Sequence, residues 1–158
     1  MNDTTRQSFD LLENVVFLKK TPLFSAVQTS ELRAVAGIVE ELSIDPGDEV
    51  VKESDTGESL YIIKEGKVRI TKKTTDNRYI DLADLTPGEC FGEMSLFDEE
   101  SRSASAYALS RCVVLRIRRD DLIDVIVDYP LIAVELLRLF VKRLRKANAR
   151  IEALSSGK

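Results

Sequence analysis

Histidine is absent from the 158-residue chain, and Cys90 and Cys112 are the only cysteines. The lack of histidine removes the commonest general base and the commonest metal ligand, which excludes a Ser-His-Asp triad and a histidine-ligated metalloenzyme. Two cysteines form neither a metal cluster nor a disulfide framework, so we expect buried, reduced thiols. An enzyme is therefore the least favoured class, and we expect no catalytic residue, no cofactor and no metal.

Long apolar runs are also missing, since none approaches the ~20 residues that span a membrane. The polar residues 1–6 lack the apolar core of a signal peptide. Apolar residues make up 44% and charged residues 32%, which is typical of a globular domain, and the net charge of −4 offers no electrostatic footprint for nucleic acid. We expect a cytoplasmic protein with a single domain over residues 1–154 and a polar tail over 155–158.

Three zones follow one another along the chain. Apolar residues recur at helical spacing in residues 1–40 and 119–154, where Pro22 and Pro130 interrupt the pattern. Residues 41–118 contain short alternating runs between turn residues, close to the ~8–12-residue spacing of a β-sandwich or barrel. These patterns predict a mainly β fold with N-terminal helices and a long C-terminal helix.

The long C-terminal helix carries an a/d heptad pattern over about three heptads. Its apolar positions are Leu137, Phe140, Leu144, Ala147, Ile151 and Leu154. The helix could pack this stripe on its own barrel, or pair with a second copy in a parallel homodimer, which the pattern favours. Its basic residues are Lys142, Arg143, Arg145, Lys146 and Arg150. We interpret these as a solvated helix face rather than a nucleic-acid patch.

Residues 91–106, FGEMSLFDEESRSASA, combine the groups that a sugar phosphate needs. Gly92 lets the backbone approach a ligand closely, and the short helix expected after it offers free N–H groups to an anion. Arg102 supplies a planar cationic fork, and Glu93 can accept a hydrogen bond from a hydroxyl. The acidic run 98–100 is a solvated loop tip. A second possibility is that Arg102 and Glu93 pair with each other.

This segment resembles the phosphate-binding cassette of cyclic nucleotide-binding domains, which occur in catabolite activator proteins, cyclic nucleotide-dependent kinases and gated channels. FGEMSL at 91–96 and RSA at 102–104 carry the resemblance. PLF at 22–24, PGD at 46–48 and LTPGE at 85–89 resemble further motifs of the family, so that the likeness covers about residues 21–154. It implies the family's β-roll, a jelly-roll or cupin-like barrel.

The resemblance also implies roles for individual residues. Arg102 would bind the exocyclic oxygens of the cyclic phosphate, and Glu93 would accept a hydrogen bond from the ribose 2′-hydroxyl. Asn148 would reach the purine edge. The backbone amides that would complete the cradle are those near Gly92, Met94, Ser103 and Ala104. Our candidates for the wall under the base are Ile70, Leu82 and Leu85.

By this resemblance the chain is a cyclic nucleotide sensor whose C-terminal helix closes over the base and is read by a partner protein. Ser103 stands where a threonine often accompanies cGMP preference, which leaves cAMP and cGMP both possible and favours cAMP. Ser101 replaces a frequent proline and is expected to loosen the loop.

Two other hypotheses stay open beside the sensor. The first is a degenerate domain that dimerises or binds proteins without nucleotide. The second is a transcription factor of the catabolite activator type. The sequence stops at Lys158, four residues past Leu154, so we expect no helix-turn-helix and no operator binding.

Overall fold

The structure, a computed structural model, describes residues 2–98 and 100–157. Helices lie at both ends of a β-rich centre, as the sequence predicts. The four helices are α1 (Asp3–Lys20), α2 (Thr29–Gly37), α3 (Arg119–Asp128) and α4 (Leu131–Ser156). Pro22 follows the end of α1, and Pro130 is the residue directly before α4. Both prolines therefore separate helices as expected.

Eight strands in the described residues form two four-stranded antiparallel sheets. The strands are β1 (Glu40–Ile44), β2 (Glu49–Val51), β3 (Ser59–Glu65), β4 (Val68–Lys73), β5 (Tyr79–Leu85), β6 (Cys90–Phe91), β7 (Ser105–Ala108) and β8 (Cys112–Arg118). The first sheet has the order β1-β8-β3-β6 and the second the order β2-β7-β4-β5. The mainly β jelly-roll predicted from the sequence is confirmed, with β1 beginning one residue before the expected boundary.

The two central strands of the first sheet, β3 and β8, are buried on both faces because their side chains alternate between two cores. On β8, Leu115 and Ile117 join a core shared with the helices, while Val114 faces the interior between the sheets. On β3, Ile62 and Ile63 divide in the same way. This arrangement explains why these strands are apolar on both sides, whereas β5 at the edge of the second sheet is almost wholly exposed.

The apolar packing of helix α4 on the domain is confined to its first part. Ile132 and Leu136 are fully buried in the helical core, and Phe140 is half-buried. The other predicted heptad positions are exposed, including Leu137 at 61% and Leu144 at 62%. The heptad stripe therefore does not pack on its own barrel.

The remaining global predictions concern cysteines and membranes. Cys90 and Cys112 are buried and unpaired, as the sequence predicts. None of the helices in the described residues is both long and apolar enough to cross a membrane. The cytoplasmic address stays a prediction.

Replacing Leu136 with alanine should lower the free energy of unfolding by about 2–5 kcal/mol, because a buried cavity is left in the helical core. The matched control is Leu131→Ala in the same helix, whose 59% exposed side chain should change stability by less than about 0.5 kcal/mol. Urea unfolding of both variants measures the difference. Equal midpoints would contradict the packing of α4 described above.

Candidate functional site

A cavity of about 360 Å³ opens between the second sheet, residues 91–106 and α4. All the site residues predicted from the sequence except Asn148 line it. They are Ile70, Leu82, Leu85, Gly92, Glu93, Met94, Arg102, Ser103 and Ala104. The structure thus brings the apolar wall and the polar segment to one place, although β4–β5 and the segment are separate in the chain.

Arg102 is buried to 7% exposure and held in a fixed orientation. Its Nη1 donates a hydrogen bond to the carbonyl of Gly92 and its Nη2 to the carbonyl of Ser59, both at 2.8 Å. The guanidinium also lies 5.9 Å from the ring centre of Tyr61, which stacks on Phe91. Burial lowers the pKa of Arg102, and Tyr61 offsets this only in part. In the described residues no carboxylate lies within ion-pair distance of it.

Gly92 makes this position of Arg102 possible. Its φ of +81° is in the left-handed region, directly before a 3₁₀ turn at Glu93–Leu96. A Cβ there would lie 2.5 Å from Nη1 of Arg102 and 2.9 Å from the carbonyl oxygen of Ser59. Glycine is therefore required both by the backbone conformation and by the space that the arginine fills.

The loop leading to Arg102 is held by backbone hydrogen bonds. Ser101 forms an isolated β-bridge with Thr56. The amide of Arg102 donates to the carbonyl of Asp55 at 2.7 Å, and its own carbonyl accepts from the amide of Ser54 at 2.9 Å. These bonds constrain the loop on both sides of the arginine. The looser loop expected from Ser101 in place of proline stays a prediction.

Glu93 is also buried to 7% exposure, and its ion-pair partner is Arg143 of α4. Arg143 further donates through Nη2 to the carbonyl oxygen of Cys90 at 3.0 Å and to its sulfur at 3.3 Å. Burial raises the pKa of the Cys90 thiol, which keeps it protonated. The alternative that Glu93 pairs with Arg102 is wrong, because the two side chains have separate partners.

Sequence reasoning missed the two cationic residues that α4 adds to the cavity, Arg143 and Lys146. Both belong to the basic residues that we interpreted as a solvated helix face. The sequence contained no signal that would distinguish them from the other basic residues of this helix. Together with Arg102 they outnumber the acidic side chains of the lining, Glu89 and Glu93. The cavity therefore favours an anion.

Asn148 is exposed and does not line the cavity. It follows Arg143 by five residues, which at ~3.6 residues per turn rotates it about 140° away around the helix. It lies instead seven residues after Val141, on the exposed apolar side of α4. Its contact with a purine edge stays a prediction.

The sequence model of the family described as "Cyclic nucleotide-binding domain" matches residues 41–129, more than half of the chain. The chain belongs to the cyclic nucleotide-binding domain family. The matched segment contains both sheets, the apolar wall and the segment with Glu93 and Arg102, but it ends before α4.

Two curated relatives resemble this cyclic nucleotide-binding domain along most of its length. The "Cyclic AMP receptor protein" of Thermus thermophilus is 36% identical over 87% of the chain and 64% of the relative. The "CRP-like cAMP-activated global transcriptional regulator" of Mycobacterium tuberculosis is 34% identical over 83% of the chain and 58% of the relative. The chain thus spans about three fifths of the length of these relatives.

The fold agrees with a solved structure of the same kind. The crystal structure of Thermus thermophilus catabolite activator protein superimposes with a TM-score of 0.79 at 36% identity, covering 85% of this chain and 63% of that chain. The cyclic nucleotide-binding domain therefore shares both sequence and architecture with this protein.

Replacing Gly92 with alanine should destabilise the domain more than replacing Gly47, although both residues have a left-handed φ. At Gly47 an added Cβ meets nothing within 4 Å, so the cost is the ~1–2 kcal/mol of backbone strain. At Gly92 the displacement of Arg102 adds about 1–3 kcal/mol. Urea unfolding compares the two variants. Equal losses would show that Arg102 does not depend on Gly92.

Proposed function

We propose that this domain is a sensor that binds a cyclic nucleotide, cAMP in preference to cGMP, in the cavity between the second sheet and α4. The observation that carries the proposal is the buried guanidinium of Arg102, held beside Gly92 in the cavity that also contains Glu93. The domain has no catalytic role in this proposal, and the nucleotide leaves unchanged.

The polar side of the cavity fits a cyclic phosphate on ribose. Arg102 uses two hydrogen bonds to fix its plane, and a guanidinium has about five N–H donors, so it can still bind exocyclic phosphate oxygens. Backbone amides near Gly92, Met94, Ser103 and Ala104 would complete the cradle. Glu93 would accept a hydrogen bond from the 2′-hydroxyl. Because these groups are oriented before binding, less free energy is spent on ordering them.

The apolar side of the cavity fits a planar base. Ile70 and Leu85 are half-buried on β4 and β5, and Leu82 on β5 is 42% exposed. Covering such an apolar surface with a base removes it from water, which makes binding more favourable. The choice of cAMP is supported by Ser103 and by the names of the two curated relatives, both of which mention cyclic AMP.

A change in nucleotide occupancy would be relayed through α4, because two residues of this helix line the cavity. A nucleotide can shift this helix only by binding its positions with different affinities. Arg143 and Lys146 face the cavity from α4 and are placed to respond to an anion. A partner protein would then read the position of the helix.

The second candidate is a dimerisation or protein-interaction module that has lost its ligand. The observation that favours it is the apolar row on the free side of α4, where Leu137, Leu144 and Ile151 are exposed together with Val134 and Val141. Val and Leu alternate there at a and d positions, a pattern typical of two-stranded coiled coils. A homodimer through this row is also compatible with the sensor. Phe140 is half-buried and packs edge-on against Phe97, so it is not part of this exposed row.

Isothermal titration of the purified protein with cAMP and, separately, with cGMP tests the sensor. We expect one-to-one binding with a cAMP Kd near micromolar, about −8 kcal/mol. Arg102→Ala should weaken binding at least about 100-fold, since a buried charge-assisted contact to phosphate is lost. The matched control is Arg78→Ala, an 80% exposed arginine outside the cavity, which should leave Kd unchanged.

Two checks make this titration decisive. Removing Arg102 leaves the carbonyls of Gly92 and Ser59 without their donor, so circular dichroism must confirm that the variant is folded. The nucleotide recovered afterwards should be intact by chromatography. If folded protein that is free of bound nucleotide gives no binding signal with either cAMP or cGMP, the result would favour the interaction module.

Leu144→Lys should convert a dimer into monomers, because it places a charge in the apolar row of α4. Val127→Lys is the matched control, as Val127 is 74% exposed on α3 and outside the row. Sedimentation equilibrium over a concentration series distinguishes the two species. A wild-type protein that is monomeric at every concentration, or a Leu144→Lys variant that dimerises like the control, would rule out pairing through this row.

A further inference from the structure

Lys72 connects strand β4 with the end of the segment that lines the cavity. The ladder between β4 and β7 has its last pair at Thr71 and Ser105, so Lys72 lies where the backbone pairing of the two strands stops. Its Nζ donates a hydrogen bond to the carbonyl oxygen of Ser103 at 2.7 Å. The side chain therefore supplies a donor to a carbonyl group that lies beyond the end of the ladder.

The ammonium group of Lys72 is itself held by Glu53. The Oε1 of this carboxylate lies 3.7 Å from Nζ of Lys72, and its Oε2 accepts a hydrogen bond from the amide of Lys73 at 2.9 Å. The amide of Glu53 donates to the hydroxyl of Ser105 at 2.8 Å. Because both its backbone and its side chain are held, Glu53 keeps the ammonium group beside the carbonyl of Ser103.

The hydrogen bond to the carbonyl of Ser103 also sets the direction of the amide N–H of Ala104. The two groups belong to one peptide unit, which is planar and trans, so the C=O and the N–H point in opposite directions. Ser103 and Ala104 line the cavity, whereas Lys72 does not. The N–H of Ala104 has no acceptor in the described residues. A donor at the cavity is thus left available, and its direction is set by a side chain outside the cavity.

Few other contacts prevent this peptide unit from rotating. Ser103 and Ala104 lie between Arg102 and β7 and belong to no strand. Besides the bond from Lys72, the hydroxyl of Ser103 makes one weak contact with the sulfur of Met94 at 3.7 Å. A peptide unit turns about the two soft dihedral angles that flank it. Without Lys72, water would satisfy the carbonyl in several orientations, and the N–H would lose its fixed direction.

We propose that Lys72 is a positioning residue that binds the carbonyl of Ser103 and thereby directs the N–H of Ala104 into the cavity. The fixing of the peptide unit concerns the protein alone. The use of the N–H as a donor to phosphate rests on the proposed function. A donor that is oriented before binding requires less free energy for ordering when the anion arrives. Lys72 then adds to affinity without contacting the nucleotide, unlike Arg102.

Amide NMR relaxation and relaxation dispersion on the full chain without nucleotide test the fixed peptide unit. In the wild type the order parameter of the Ala104 amide should be near the ~0.85 of rigid backbone, without slow exchange. Lys72→Met removes the donor but keeps an apolar stem, and it should lower this order parameter or introduce exchange on the μs–ms timescale.

Lys73→Met is the matched control for this measurement. Lys73 is the next residue on β4 and is exposed, and its Nζ makes no hydrogen bond or ion pair in the described residues. Its replacement should leave the Ala104 amide as in the wild type. If Lys72→Met leaves both the order parameter and the exchange behaviour of Ala104 unchanged, the proposal is wrong.

Isothermal titration with cAMP tests the contribution of Lys72 to binding. Lys72→Met should weaken binding about tenfold, equivalent to ~1.4 kcal/mol. The loss should persist at about 1 M salt, where the screening length is only ~3 Å and a mere loss of positive charge would have little effect. Lys73→Met removes the same charge and should leave Kd at high salt unchanged. Lys72→Arg should recover most of the affinity, because a guanidinium can also donate to the carbonyl of Ser103.

The results of the two measurements separate this inference from the proposed function. A Kd in Lys72→Met equal to that of the wild type, a loss that disappears at high salt, or an affinity of Lys72→Arg as low as that of Lys72→Met would overturn the role of Lys72 in binding. A wild type that binds no nucleotide would instead refute the proposed function. The NMR comparison without nucleotide would then still decide whether Lys72 fixes the peptide unit.

Discussion

The guanidinium of Arg102 is buried between two backbone carbonyls, and much of the site depends on this one arrangement. The carbonyls belong to Gly92 and to Ser59, which lies 43 residues before the arginine in the chain. A cation can be buried there only because these acceptors replace water. Gly92 must lack a side chain to leave room, and the ends of β3 and β6 must meet. The position of Arg102 is therefore inseparable from the pairing of the first sheet.

The division of the first sheet between two cores explains how so short a chain carries both a barrel and four helices. β3 and β8 give alternate side chains to the helical core and to the barrel interior. The helices therefore pack on the outside of the sheet whose inside supports Arg102. The second sheet has one covered face, and its wall remains available on the cavity side.

The helix α4 has three different environments along its length. Its first two turns are part of the helical core, its middle reaches the cavity through Arg143, and its apolar row faces outward. One helix thus combines a buried beginning, a polar contact in its middle and an exposed apolar row.

The sequence by itself determined the order of helices and strands and singled out the segment 91–106, for which the family resemblance implied the roles of Glu93 and Arg102. It could do so because periodicity, turn residues and the spacing of the segment are local properties of the chain. Only the tertiary structure decided that Glu93 pairs with Arg143, that Asn148 points away from the cavity and that Phe140 turns inward from the heptad row. Arg143 contacts Cys90 across 53 residues. Such a contact depends on where α4 leaves the core. The helical pattern of the sequence does not specify it, because that pattern does not distinguish one basic residue on the surface of the helix from another.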